Sequence, residues 1–475
     1  MNVQFILPGL FLFCWTIFVL TIDFIRNGEG SRFSGYLSLV GLVITGIIAY
    51  FIPVGTAFGG TYIADDYGRI FNLIFIGAAI LTIMASLDFT ELRLKFRGEY
   101  YGLLLLSVVG MIFLSGAGEL VSLYVSLELA TIPLYVLAAY AKNDLKSTEA
   151  GLKYVIIGGA SSALLLFGLS LLYGLTGTTV LSEIRGWELA GAAIKPAVTL
   201  ALVLFIAGFG FKLAAAPFHM WAPDVYEGAP TPVTAFLSVG SKAAGLAAFV
   251  RVFFGALMAV RADWILILEI VAVIAMVIGN YVALTQTNIK RMLAYSSIAQ
   301  IGYVFVAIVA VNGFSIIGMM IFLMAYLFAN IGAFMVAIGF SNMTGSDNID
   351  DYSGMIRRSP FATFMMTIFM LSLVGIPPTA GFLGKYWVFG AAIKEHIYWL
   401  VVVAVLMSVV SLFYYMNVVR KMMFHRSEDE SRIFYGPLLA TGIAISGIMV
   451  ILICIMPATF YELARQAARS FFPNF

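Results

Sequence analysis

Long apolar runs separated by short polar segments cover nearly the whole chain. About fourteen follow one another, near 4–24, 34–52, 70–90, 99–117, 119–141, 152–175, 196–216, 231–258, 263–284, 291–311, 315–341, 360–393, 399–421 and 437–463. Each reaches the roughly 20 residues that a helix needs to cross the hydrocarbon core. The pattern predicts an all-α polytopic membrane protein. The stretch 360–393 is too long for one simple crossing and holds Pro377 and Pro378. Proline removes a backbone donor and clashes with the turn before it, so two half-helices are expected there. A similar interruption follows the seventh run at Ala216 and Pro217, with Pro223, Pro230 and Pro232 beyond it. Residues 4–24 have no basic segment before them and no small-residue cleavage site after them, so they read as a first crossing, not a signal peptide.

Four ionisable residues break the apolar pattern: Glu128 in the fifth run, Lys212 in the seventh, Lys242 in the eighth and Lys385 after the paired prolines. A charge at the bilayer centre costs roughly 2.5–3.5 kcal/mol on insertion scales, and such residues usually face a protein interior where they serve an ion or proton path. All three cations are lysines, and a buried lysine can exchange its proton where arginine cannot. A Glu128–Lys212 ion pair would keep both groups charged, and breaking it would favour the neutral lysine. Two readings without transport compete: a structural salt bridge between helices, and lysines snorkelling to the surface, to which Lys212 is the most open. Two lysine-bearing helices broken by proline, one in each half, fit an inverted-repeat transporter, although prolines also set simple kinks.

Lesser candidates accompany them. His219 could pass protons at the mouth of the seventh helix or simply cap a loop. Tyr295, Ser296, Ser297, Gln300 and Tyr303 form a polar stripe on the tenth helix, suited either to holding water or to joining helices. Asp65, Asp66, Asp347, Asp350 and Asp351 read as solvated loop charges.

Composition narrows the class. Hydrophobic residues make up 62% and charged residues 11%, against about 25% charge in soluble domains. The net charge of +2 gives no case for nucleic acid. Cys14 and Cys454 lie in apolar runs at opposite ends and the three histidines are scattered, so no haem, zinc or iron–sulfur site is expected. Loop lysines and arginines are roughly twice as numerous after odd-numbered runs (Arg26, Arg32, Lys142, Lys146, Lys290, Arg291) as after even ones (Arg69, Arg185, Lys195, Arg251). This bias puts both termini on the positive, outer side.

The strings LVSLYVSLELATIPLYVLAAY, FGFKLAAAPFHMWAPDVYEGAPTPVTAFLSVGSKAAG, QTNIKRMLAYSSIAQIGY and SLVGIPPTAGFLGKYWVF occur in this order over most of the chain. Together they resemble the antiporter-like membrane subunits of respiratory complex I. Within that family the chain resembles the subunit N branch, with Lys385 where one related subunit carries glutamate, Asn288 where longer relatives tend to carry aspartate, and an end soon after the last run. The resemblance implies two inverted five-helix repeats with helices seven and twelve broken. The divisions expected are 1–98, a repeat at 99–258, a second at 259–421, and a C-terminal segment at 422–475. It also implies that Glu128, Lys212, Lys242 and Lys385 form a proton relay driven by redox chemistry in partner subunits. Flavin, iron–sulfur clusters and quinone would belong to those partners, with no cofactor or metal in this chain. The partners implied are other membrane-arm subunits, including other antiporter-like ones. An Mrp-type cation/proton antiporter or a membrane-bound hydrogenase would share these residues, and a structural spacer or a stand-alone transporter are further alternatives. The electron donor, NAD(P)H or ferredoxin, is left open. The absence of a targeting segment points to a prokaryotic plasma membrane, or to an organelle-encoded protein of an inner or thylakoid membrane.

Overall fold

The computed structural model describes residues 2–26, 31–93, 97–187, 189, 191, 194–427, 429 and 431–475. Among these, thirteen helices are long and apolar enough to cross a membrane. A further crossing is built from two shorter helices, so the expected fourteen are accounted for. The first half begins with α1 (Leu7–Ile25) and α2 (Ser31–Phe51). A small antiparallel hairpin follows, β1 (Gly55–Ala57) with β2 (Tyr62–Ala64), pairing Thr56 with Ile63. The hairpin was not foreseen: its strands are three residues each, below the length at which alternation can be read.

Next come α3 (Asp66–Arg93), α4 (Arg97–Ser115), α5 (Leu120–Ala138) and α6 (Leu145–Thr176), then the short α7 (Leu181–Ile184). Capping side chains set the starts: Glu119 accepts from Ser122 N–H before α5, and Asp144 from Lys146 N–H before α6. The seventh crossing is broken as expected. α8 (Lys195–Leu213) stops at Ala214, which adopts a left-handed φ of 52°, and α9 (Trp221–Gly228) resumes beyond the turn. The eighth crossing is α10 (Thr231–Phe236), one wide π turn at Leu237–Ser241, and α11 (Lys242–Gly255).

The second half runs through α12 (Arg261–Leu284), α13 (Ile289–Ile308), α14 (Gly313–Thr344) and a short α15 (Met355–Arg358). The second broken crossing is α16 (Pro360–Val374) and α17 (Ala380–Lys394), interrupted at Gly375–Thr379 where Pro377 and Pro378 lie. Then follow α18 (Tyr398–Phe424), α19 (Pro437–Ile455) and α20 (Pro457–Arg469). The last expected run, 437–463, is therefore divided: Pro457 ends the crossing and opens a separate helix carrying Glu462, Arg465 and Arg469.

Burial is graded. The crossing at Thr231–Gly255 is wholly enclosed and α14 nearly so, while α1, α18 and α19 present most of their surface to the surroundings. The loops cluster on two faces. One carries the hairpin, the Ala117–Glu119 turn, which bridges to Tyr62 and Val180, and the C-terminal segment; we term it the hairpin face. The opposite, basic face carries Lys146, Lys290 and Arg291 in ion pairs with Glu227, Asp347 and Asp224.

Candidate functional site

Glu128 sits at the middle of α5, and close helix approach puts it there. A side chain at Gly110 of α4 would collide with the backbone of Ala130, so glycine lets the two helices touch at this level. Pro133, one turn on, lacks the N–H that would close on the Leu129 carbonyl and loosens α5 there. The Glu128 carboxylate accepts from Ser162 Oγ of α6, and Tyr124 OH lies 3.0 Å from the same hydroxyl.

Lys212 occupies the last turn of α8, where unpaired carbonyls favour a cation. Trp221 of α9 covers this end, donating from Nε1 to the Phe211 carbonyl at 2.9 Å. The lysine is only 6% exposed, so it does not snorkel. It does not touch Glu128 either: among the described residues no ion pair joins them, and Lys212 Nζ donates to Thr131 Oγ1, three residues along α5. The anticipated ion pair is thus open. A hydroxyl on the same helix has taken the ammonium, and a serine has taken the carboxylate.

Lys242 begins α11 directly after the π turn and is 2% exposed. Its ammonium donates to the Ser297 carbonyl at 3.1 Å and to Ser297 Oγ at 2.8 Å, on α13. Lys212 is close by: a Cβ at Gly245, three residues from Lys242, would stand 3.5 Å from the Lys212 Cβ.

Lys385 is 5% exposed in the first turns of α17. It reaches back across the break to the Val374 carbonyl at 2.8 Å, the last residue of α16, and to Ser408 Oγ of α18 at 3.1 Å. Its ammonium lies 4.4 Å from the centre of the Tyr303 ring. The broken helix supplies a free carbonyl end for the cation, the use expected of half-helices in a membrane.

The polar stripe of α13 spans the distance between these last two lysines. Ser296 Oγ accepts from Tyr415 OH at 2.8 Å; Gln300 Nε2 donates to Tyr415 OH at 3.3 Å and to the Leu373 carbonyl at 3.0 Å, next to the Lys385 acceptor. Tyr303 OH accepts from Asn280 Nδ2 at 3.1 Å, and Asn280 Oδ1 accepts from Tyr414. Ser296, Ser297, Gln300 and Tyr303 therefore meet as a group. Tyr295 does not: it lies on another side of α13, half-buried among apolar neighbours. His219 is buried in the turn between α8 and α9, its Nδ1 meets no protein partner, and it is hydrogen-bonded to none of the lysines.

Thr131, Ser162, Asn280, Ser408, Tyr414 and Tyr415 were not anticipated. They are uncharged residues on helices remote in sequence, and only a polar stripe signal on α18 could have singled out the last three. Two aspartates expected as solvated loop charges do lie in loops but are held there by ion pairs. Asp65 is paired with buried Arg251, and Asp347 with Lys290. On the basic face, Arg291 and Lys153 clamp Asp224, while Arg291 and Lys146 clamp Glu227, which fixes α9 against α6 and α13. Among the described residues no group of three or more histidine, cysteine, aspartate or glutamate side chains converges as a metal site would.

Residues 117–411 match the family described as NADH:quinone oxidoreductase/Mrp antiporter, transmembrane region. The chain is 46% identical to NADH-quinone oxidoreductase subunit N of Moorella thermoacetica, over 92% of each chain. Among solved structures it is similar to a chain of respiratory complex I from Thermus thermophilus, with a TM-score of 0.81, 30% identity, and coverage of 96% of this chain and 99% of that one. A chain of the Mrp complex from Dietzia superposes with a TM-score of 0.88 at 18% identity, covering 100% of this chain and 98% of that one, which is a likeness of fold.

Proposed function

This chain belongs to the NADH:quinone oxidoreductase/Mrp antiporter transmembrane family, in its subunit N branch, and from that premise we propose that it is a proton-translocating membrane subunit of a complex I-type quinone oxidoreductase. It would work beside other antiporter-like membrane-arm subunits, with flavin, iron–sulfur clusters and quinone held by partners and no redox step in this chain. The observation that carries the reading is a file of separately hydrogen-bonded groups through the enclosed centre, at Glu128 and Lys212, then Lys242, then Lys385, with no hydrogen bond among the described residues joining one lysine to the next. Gln300 Oε1, Asn330 Oδ1 and the hydroxyls of Tyr226 and Tyr326 are buried along it with no protein partner. Proteins usually satisfy such groups with ordered water, the medium a proton needs between lysines.

Energies decide whether pairing can drive the step. Moving one charge against 100 mV takes about 2.3 kcal/mol. Bringing opposite charges to 4 Å is worth about 4 kcal/mol at an effective dielectric constant of 20. Closing or opening the Glu128–Lys212 pair is therefore large enough to load or discharge Lys212. The open pair would be one of two states, the other having Glu128 released from Ser162. The division into repeats at 99–258 and 259–421 is supported by matching partners, since α4 packs on α5 and α6 on both halves of the seventh crossing, as α12 packs on α13 and α14 on both halves of the twelfth. The basic face would be inner and both termini outer, in a prokaryotic plasma membrane.

Lys242→Ala in the assembled complex tests this, with proton pumping and electron transfer measured together and subunit content checked. Pumping and coupled turnover should fall with assembly intact. Wild-type pumping would remove Lys242 from the path and leave a structural spacer as the better reading. An Mrp-type antiporter would instead purify without redox partners.

A further inference from the structure

The proposed path leaves Arg251 among the buried charges it does not use. Arg251 lies on the same helix as Lys242, nine residues or about 14 Å further toward the hairpin face. Its side chain is 5% exposed. Both terminal nitrogens donate to Asp65, each at 2.6 Å, and Nε donates to the Ser115 carbonyl at 2.8 Å. Asp65 is held in turn by the Gly68 N–H at 2.8 Å. Two aromatic rings close over the guanidinium, Tyr67 at 4.8 Å and Phe471 at 5.8 Å from their centres.

Between Lys242 and Arg251 the α11 sequence is Ala-Ala-Gly-Leu-Ala-Ala-Phe-Val, all enclosed, with no polar side chain. From the hairpin face, however, polar groups reach inward. Asn72 binds Ser115, and Tyr67 donates to the Ala247 carbonyl, about midway between the two cations. A proton crossing from Lys242 toward the hairpin face would have to pass this cluster. Arginine is the cation that cannot carry it. Guanidinium keeps its proton, has no acceptor, and here has each of its nitrogens engaged. A fixed positive charge also repels a hydronium, the device by which pores exclude protons.

We propose that Arg251, locked by Asp65 and covered by Tyr67 and Phe471, is a proton plug that closes the hairpin-face end of the Lys242 crossing, so that a proton on Lys242 can continue only toward Lys385. The inference rests on Lys242 being part of the relay. A plain structural staple between α11 and the hairpin would use the same ion pair, and lysine separates the two ideas. Arg251→Lys retains a cation for Asp65 but supplies a group able to exchange its proton.

The experiment reads the collapse of an imposed pH gradient across vesicles carrying the assembled complex, with redox substrates absent. Arg251→Lys should collapse the gradient severalfold faster than wild type while electron transfer with added substrates stays normal. Adding Lys242→Ala to that variant should restore tightness, because the leak runs through Lys242. Phe471→Ala, which opens the cover and leaves the ion pair, should leak as well and decides the matter if Arg251→Lys does not assemble. Wild-type tightness in every assembled variant, or a leak indifferent to Lys242→Ala, overturns the proposal. The relay stands or falls separately, on pumping in the single Lys242→Ala variant.

Discussion

Tyr415 shows how much of the central file depends on single hydroxyls. Its OH donates to Ser296 and accepts from Gln300, both on α13 beside the Ser297 that holds Lys242, and Gln300 reaches on to the Leu373 carbonyl next to the Val374 carbonyl that holds Lys385. A hydrogen bond between membrane helices is worth only about 0.6 kcal/mol on average, so Tyr415→Phe should leave assembly and thermal stability nearly unchanged. Proton pumping per electron should nevertheless fall, because the hydroxyl joins the two lysine environments. Tyr414→Phe, which removes the bond to Asn280 instead, should have the smaller effect. Equal losses in the two variants would show that packing, not the hydrogen-bonded file, sets the rate. The lysines themselves were legible in the sequence because a charge inside an apolar run is a signal on its own. Their partners were not. Thr131 and Ser297 stand 81 and 55 residues from the lysines they bind, and nothing in a serine or threonine announces which helix it will face. The expected Glu128–Lys212 contact failed for a related reason: opposite charge identified the partners, but nearby hydroxyls decided the geometry.

At the scale of elements, the two broken crossings do the positioning. Proline pattern located both breaks, since a missing donor and a steric clash act locally. It could not show how the half-helices meet. At the second break Gly381 packs directly on the Ser372 carbonyl, and its N–H donates to Ser372 Oγ at 3.1 Å. A methyl group there overlaps backbone and has to push α16 and α17 apart, an overpacking that typically costs about 1–3 kcal/mol. Gly381→Ala should lower the thermal stability of the subunit in the complex. It should also uncouple pumping, because Lys385 loses its reach to Val374. Full pumping in this variant would mean that Lys385 does not need the carbonyl end of α16. The hairpin and α20 were missed or merged at this scale too, the first for its short strands and the second because a window average carries hydropathy across Pro457.

For the whole molecule, the alternation of apolar runs was enough to give the order of crossings, and the loop charges gave an orientation. Arg251, which by sequence position belongs with the loop charges, lies buried inside α11. A sliding window sees an arginine near the end of a run and cannot see the aspartate that encloses it from 186 positions away. Orientation itself is open to a direct check. In a background with Cys14 and Cys454 replaced by alanine, Arg185→Cys on the hairpin face should react with a membrane-impermeant thiol reagent added to intact cells. Asn143→Cys on the basic face should react only after the membrane is opened. The reverse pattern would invert the proposed direction of transport.

The wide turn at Leu237–Ser241 sets a limit on how regular this molecule can be. Its hydrogen bonds close five residues back instead of four, so the crossing carries one residue more than an unbroken helix of the same rise would hold. One residue is about 100° of rotation. An uninterrupted α10–α11 helix would be the smoother object and the better bonded one, but its lysine would look a quarter-turn away from Ser297. Regularity and aim compete at this single turn, and the chain keeps the aim.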